Sequence, residues 1–155
     1  MSTMRIKLLP AIGLLLIGIM LFSLIASVVL SAFTTKPLPK NNITDYELDS
    51  YTEYTLLTQG KVLMKLFYEK GCQNCGDKIS MLEGMTKSYP DQTFLEEILS
   101  NQTIPLLHFV GFNITQNSIY LDERELKGEN ITEEKVMNIL CNIMIKPPTM
   151  ECVKL

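Results

Sequence analysis

The chain has no tryptophan, a single histidine (His108) and no block of lysine or arginine. With 14 basic against 17 acidic residues its net charge is −3, so it lacks the electrostatic footprint that nucleic-acid binding requires. One histidine also leaves too few imidazoles for most zinc sites, which need four ligands drawn from Cys and His. Only four cysteines are present, and they are not spaced as two Cys-x-x-Cys pairs: Cys72 and Cys75 are separated by two residues, Cys141 and Cys152 by ten. Internal repeats and low-complexity segments are absent as well, which excludes solenoid and array architectures.

Charge is missing altogether from residues 8–33, "LLPAIGLLLIGIMLFSLIASVVLSAF". A run of 26 residues exceeds the roughly 20 that cross a bilayer's hydrocarbon as a helix, and the expectation is a transmembrane anchor over residues 1–34. A cleaved signal peptide is the competing reading, because Ser27, Ser31 and Ala32 are small enough for a cleavage site, but signal cores are usually only about 7 to 15 residues long. Arg5, Lys7 and the amino terminus before the run, against Lys36 and Lys40 after it, place the remainder outside the cytoplasm by a thin margin. Four Asn-x-Thr sequons, at Asn42, Asn101, Asn113 and Asn130, fit that side and predict a glycoprotein. The localisation expected is therefore the cell membrane, single-pass, with the C-terminal domain extracytoplasmic.

"TTKPLPKNN" reads as a stiff polar tether over residues 35–44, leaving 45–155 as one domain. Residues 45–58 lean helical, with Asp45 or Asp49 as cap. "KVLMKLFY" is a strand buried on both faces, interrupted by Lys65. After Gly71 the period becomes helical, with Cys75, Ile79, Leu82, Met85 and Tyr89 on one stripe until Pro90. "TFLEEIL" (93–99) is read as a short helix. "LLHFVGF" and "SIYLDEREL" are two strands joined through a turn near residues 111–118. The final helix opens on Thr132 as cap and Glu133 and Glu134 in the first turn, carries Val136, Ile139, Leu140, Ile143 and Met144 on one face, and stops at Pro147-Pro148.

Cys72 and Cys75 stand between a strand and a helix, in "YEKGCQNCGDK". Thiol–disulfide exchange needs one sulfur ionised near neutral pH and a second one close enough to resolve the mixed disulfide. The positive end of a helix lowers a Cys72 thiol toward neutrality, and Cys75, facing the core, acts second. Zinc and incidental thiols are the competing readings for this pair. Lys70, Asp77 and Lys78 flank it, where charges are ordinarily just solvated. Cys141 and Cys152 read as a structural staple across the Pro147-Pro148 break, with a second redox pair as the alternative. Four cysteines allow three connectivities. His108 reads as a half-exposed sheet residue, and the methionines at helical spacing (Met81, Met85, Met137, Met144) as core filler rather than a soft-metal site.

The order of strand, Cys-x-x-Cys, helix, "TIP" leading into a strand, second strand and C-terminal helix resembles the thioredoxin superfamily over most of residues 46–145. The resemblance implies an α/β, thioredoxin-like fold, here shortened: only 29 residues separate Cys75 from Pro105, so a strand or helix between them is reduced or missing. It implies that Pro105 is cis and packs against the redox pair, and that Ile104 and Pro105 bind substrate. The acid such proteins bury six residues before the first cysteine falls at Leu66 and is absent.

The function expected is that of a membrane-anchored thiol–disulfide oxidoreductase, with Cys72 attacking and Cys75 resolving. Its partners would be protein thiols or disulfides outside the cytoplasm, or a membrane redox partner; no nucleic acid, metal or organic cofactor is implied. A membrane-tethered interaction module with permanent disulfides, or a copper-handling protein, is the alternative.

Overall fold

The computed structural model describes residues 12–13, 15–23, 25, 38–114 and 118–152. The chain divides into two compact units, Met1–Leu38 and Pro39–Leu155. In the first, residues 12–13, 15–23 and 25 are helical, and the large apolar side chains among them, such as Leu15, Met20 and Phe22, are exposed. The rest of the anchor expected over residues 8–33 lies outside the described residues. Among those described, no helix is long and apolar enough to cross a membrane.

The second unit is a five-stranded mixed sheet, with strands in the order β1-β3-β2-β4-β5. β1 (Ile43–Thr44) and β2 (Val62–Tyr68) run parallel to β3 (Thr93–Leu99); β4 (Leu106–Ile114) runs antiparallel to β2 and to β5 (Ile119–Lys127). Four helices complete it: α1 (Ser50–Thr58), α2 (Cys75–Ser88), α3 (Glu133–Ile143) and the short α4 (Thr149–Cys152). The last residues of the tether expected over 35–44 are part of the sheet. Asn42-Ile43-Thr44 joins the sheet, where the Asn42 carbonyl accepts from Leu95 N at 2.8 Å.

Local chemistry accounts for most of these boundaries. Asp49 caps α1 by accepting from Thr52 N at 3.1 Å, and Thr132 caps α3 by accepting from Lys135 N at 3.4 Å. β2 is the most buried strand, with Val62, Leu63, Met64 and Leu66 all within 1% of complete burial. Residues 93–99 correct the short helix expected there. Their "TFLEEIL" pattern looks helical because two glutamates sit mid-run, yet the segment pairs in register with all of β2, from Val62–Thr93 to Tyr68–Leu99. Tertiary pairing overrides the local propensity.

The sheet has two unlike faces. One packs Met64, Leu66, Leu95, Leu107 and Phe109 against α2 (Leu82, Met85) and α3 (Val136, Leu140, Ile143). The other packs Leu63, Phe94 and Val110 against α1 (Leu56, Leu57). At α1 itself the buried Lys65 pairs with Glu53 at 2.5 Å, and beyond the helix this second face turns polar: His108 faces Glu123 at 3.7 Å and Lys127 pairs with Glu125 at 3.1 Å. The reason lies in the connection from β3 to β4, residues 100–105, which hops across the end of β2 with no helix. No helix stands between β3 and β4 to cover this part of the sheet, which is open to solvent instead. Antiparallel strands tolerate one wet face, and His108 sits there half-exposed.

Glu96 is the exception on that face. It is fully buried, opposite Lys65 across the β2–β3 pair, and its carboxylate accepts from Leu48 N at 3.0 Å. Its Oε1 has no hydrogen-bond partner. Burial pushes its pKa up to about 7, against the hydrogen bond from Leu48 and the charge of Lys65, which favour ionisation.

Candidate active site

Cys72 lies in the turn that follows β2, three residues before α2 begins. Gly71 makes that turn possible: its φ of +96° lies in the left-handed region, which side chains with a Cβ rarely adopt. The Cys72 amide donates to Glu69 O at 3.2 Å, which closes the turn. The first helical residue is Cys75, not Cys72, so the first cysteine's backbone is outside the helix. Cys72 and Cys75 form a disulfide with their Cα atoms 5.5 Å apart, which ties the Cys72 Sγ to the first residue of α2. Asn74, the residue at the N-cap, makes no side-chain hydrogen bond to that turn. The helix end therefore remains available to an anion at the sulfur.

The two sulfurs differ in exposure. Cys75 is buried, 3% exposed, whereas Cys72 is half-buried and lines a surface groove of about 650 Å³. Across the groove stand Thr103, Ile104 and Pro105 from the β3–β4 connection. Ile104 is 60% exposed, a large apolar side chain displayed beside a disulfide. The four residues singled out from sequence, Cys72, Cys75, Ile104 and Pro105, thus come together. One implied detail does not hold: no cis peptide bond occurs among the described residues, and Ile104–Pro105 is trans.

The groove's remaining wall is missed by sequence reasoning. Lys127, Gly128 and Glu129, at the end of β5, line it with Lys78 of α2. Gly128 donates its amide to Pro105 O at 2.8 Å and has φ +57°. A Cβ there would lie 3.1 Å from Ile104 Cγ2, so close approach as well as conformation calls for glycine. A glycine directly after a charged strand is the one sequence signal that points to this corner.

Leu66, where the resemblance places a buried acid, is fully buried and apolar. Glu96 does not replace it. Its neighbours in β3 show why: Leu95 packs with α2, so Glu96 faces the opposite side of the sheet from the cysteines.

Cys141 and Cys152 form the second disulfide, with Cα atoms 5.6 Å apart. It joins α3 to α4 and turns the tail over the far end of the sheet. There Lys146 N donates to Gln92 Oε1 at 3.1 Å, and the Gln92 carbonyl accepts from Val62 N at 2.8 Å. Val62 opens β2 and the Cys72 turn follows its last residue, so the two disulfides lie at opposite ends of a seven-residue strand, about 20 Å at the usual rise. Sulfurs so placed do not exchange directly. Met85 and Met144 are buried, and Met81 and Met137 pack partly buried against the same core, as their helical spacing implies.

No protein-family profile matches the sequence, and no curated protein matches it. Among solved structures, the germline-specific thioredoxin Deadhead (Thioredoxin-1) of Drosophila melanogaster is similar at 15% identity and a TM-score of 0.38, covering 58% of this chain and 88% of that one. Trichomonas vaginalis thioredoxin is similar at 16% identity and a TM-score of 0.39, covering 58% and 89%.

Proposed function

We propose that the domain carries out thiol–disulfide exchange on protein substrates, with Cys72 as the attacking sulfur and Cys75 as the resolving one. One observation carries this reading: a Cys-x-x-Cys disulfide whose first sulfur opens on a groove while the second is buried at a helix start. In the reducing direction, the Cys72 thiolate attacks a substrate disulfide, forms a Cys72–substrate disulfide and expels a substrate thiolate. Cys75, losing its proton, then attacks Cys72 Sγ. The internal disulfide re-forms and the second substrate thiolate leaves; in the oxidising direction the same steps run backwards. Thr103, Ile104 and Pro105 are the surface on which the substrate chain lies. The helix end above the sulfur favours the thiolate that both directions need.

Membrane anchoring and an extracytoplasmic location belong to this proposal. They are supported by the uncharged run at residues 8–33, by the sequons and by two cysteine pairs that are both oxidised. Two sequon asparagines donate their side-chain amides, Asn42 Nδ2 to Pro90 O at 2.7 Å and Asn113 Nδ2 to Asp122 at 3.4 Å, while Asn130 Oδ1 accepts from Lys135 Nζ at 2.5 Å and leaves its amide nitrogen unused. Asn101 and Asn130 are exposed and are the acceptors to test.

Replacing Cys75 by serine tests the activity. The Cys75→Ser protein should accumulate mixed disulfides with partner proteins that disappear when Cys72 is also replaced. A Cys75→Ser protein that traps nothing in membranes, together with a Cys72 thiol alkylated no faster than a free cysteine, would leave an interaction module with permanent disulfides.

A further inference from the structure

Lys78 occupies a position in α2 where the helix pattern calls for an apolar residue. Cys75, Lys78, Leu82 and Met85 recur at spacings of three, four and three, and the other three are all buried. The lysine follows them inward, its side chain only 11% exposed. Lysine in such a place buries its methylene stem and carries its charge out at the nearest opening. Here that opening is the groove lined by Cys72. Lys70 and Asp77, also beside the cysteines in sequence, are exposed and do not line it.

The amine's carboxylate neighbour is Glu129 at 4.0 Å, and that residue's side chain is 88% exposed. A contact at this distance with so solvated an acid is weak. Lys78 therefore brings a poorly compensated positive charge into the groove. Residues three apart on a helix stand side by side, so it also lies next to Cys75 and the sulfur bonded to it.

We propose that Lys78 is a positioning residue for the Cys72 thiolate, and that Glu129 is only a weak counter-charge to its amine while the disulfide is closed. The inference rests on the exchange reading above. When an external dithiol reduces the pair, two electrons break the Sγ–Sγ bond, the dithiol becomes a disulfide, and its two protons go to Cys75 and to solvent. The anion left on Cys72 then competes with Glu129 for the amine. A partly desolvated cation stabilises such an anion beyond what the helix end supplies.

The test uses the full-length protein carrying Cys75→Ser, in which Cys72 is the free thiol, and follows its alkylation by iodoacetamide from pH 5 to 10. Lys78→Met should displace the profile to higher pH and slow alkylation at pH 7 roughly three- to tenfold. Lys78→Arg should restore most of the rate. Glu129→Gln, a change at an exposed side chain that leaves the core untouched, should displace the profile the other way. Profiles that stay together across Lys78→Met and Glu129→Gln, with Cys72 still activated, overturn this inference alone. An ordinary Cys72 in the protein with Lys78 and Glu129 intact overturns the exchange reading, and this inference falls with it.

Discussion

The molecule's two disulfides are built from the same bond and placed in opposite settings. Cys72–Cys75 closes a loop with two residues inside it, at the exit of a buried strand, and shares a groove with an exposed isoleucine. Cys141–Cys152 closes a loop with ten residues inside it at the other end of the sheet, and ties down a tail that also bonds Gln92. By the loop-closure relation the longer one stabilises by about 2.8 kcal/mol and the shorter by about 1.9 kcal/mol. The larger difference lies in reach. Cys72 lines a surface groove, whereas Cys141–Cys152 links α3 to α4.

The comparison can be broken first at the groove. Cys72→Ser should lower insulin-disulfide reduction, or any exchange assay the protein supports, by roughly a thousandfold or more, as loss of a nucleophile does. The paired replacement Cys141→Ala with Cys152→Ala should leave that rate within about twofold. A large loss of exchange from the second pair would show that the two ends are not independent.

Stability should divide the other way. Removing Cys141–Cys152 should cost about 3 kcal/mol in chemical denaturation, while Leu140→Ala, on the helix that disulfide anchors, should cost about 2 to 5 kcal/mol. Reduction potentials give a further measure. Cys72–Cys75 should titrate above about −300 mV and Cys141–Cys152 below it.

A smaller effect belongs to Glu96, which sets a pH dependence unconnected with either cysteine pair. Its folded pKa, about 7, is raised above the ordinary carboxylate value of 4.5. The folded state therefore holds a proton that the unfolded state releases, and this contribution is full below pH 4.5 and lost as pH rises toward 7. Glu96→Gln should flatten that slope, by no more than about 3 kcal/mol, in urea melts at pH 5 and pH 8.

Much of this was legible in the residues. The Thr132 cap and the apolar face of α3, the strand at 62–68 and the Cys-x-x-Cys turn follow from spacing and capping alone. A missing element before Pro105 follows only from the resemblance, against which the interval of 29 residues is short. The strand at 93–99 was hidden by Glu96 and Glu97, since a buried carboxylate in a central strand breaks the alternation that announces one. The groove's second wall was hidden for another reason. Lys127, Gly128 and Glu129 reach Cys72 only through the β4–β5 pairing, a long-range contact with no local signature. Lys78 was visible as a charge beside the site, but its burial depends on the helix phase that Leu82 and Met85 set.

The helix-free crossing from β3 to β4 has a kinetic meaning as well as a geometric one. With no helix in that crossing to cover one face of the outer sheet, and as an edge strand, β5 relies on β4 alone for its amide partners. Its hydrogens should exchange with solvent by local opening, well before those of β2, which is paired on both sides and buried on both faces. The wall bearing Gly128 and Glu129 hangs from that looser strand, and the 2.8 Å bond from the Gly128 amide to Pro105 O is what ties it to the connection that lines the groove's other side.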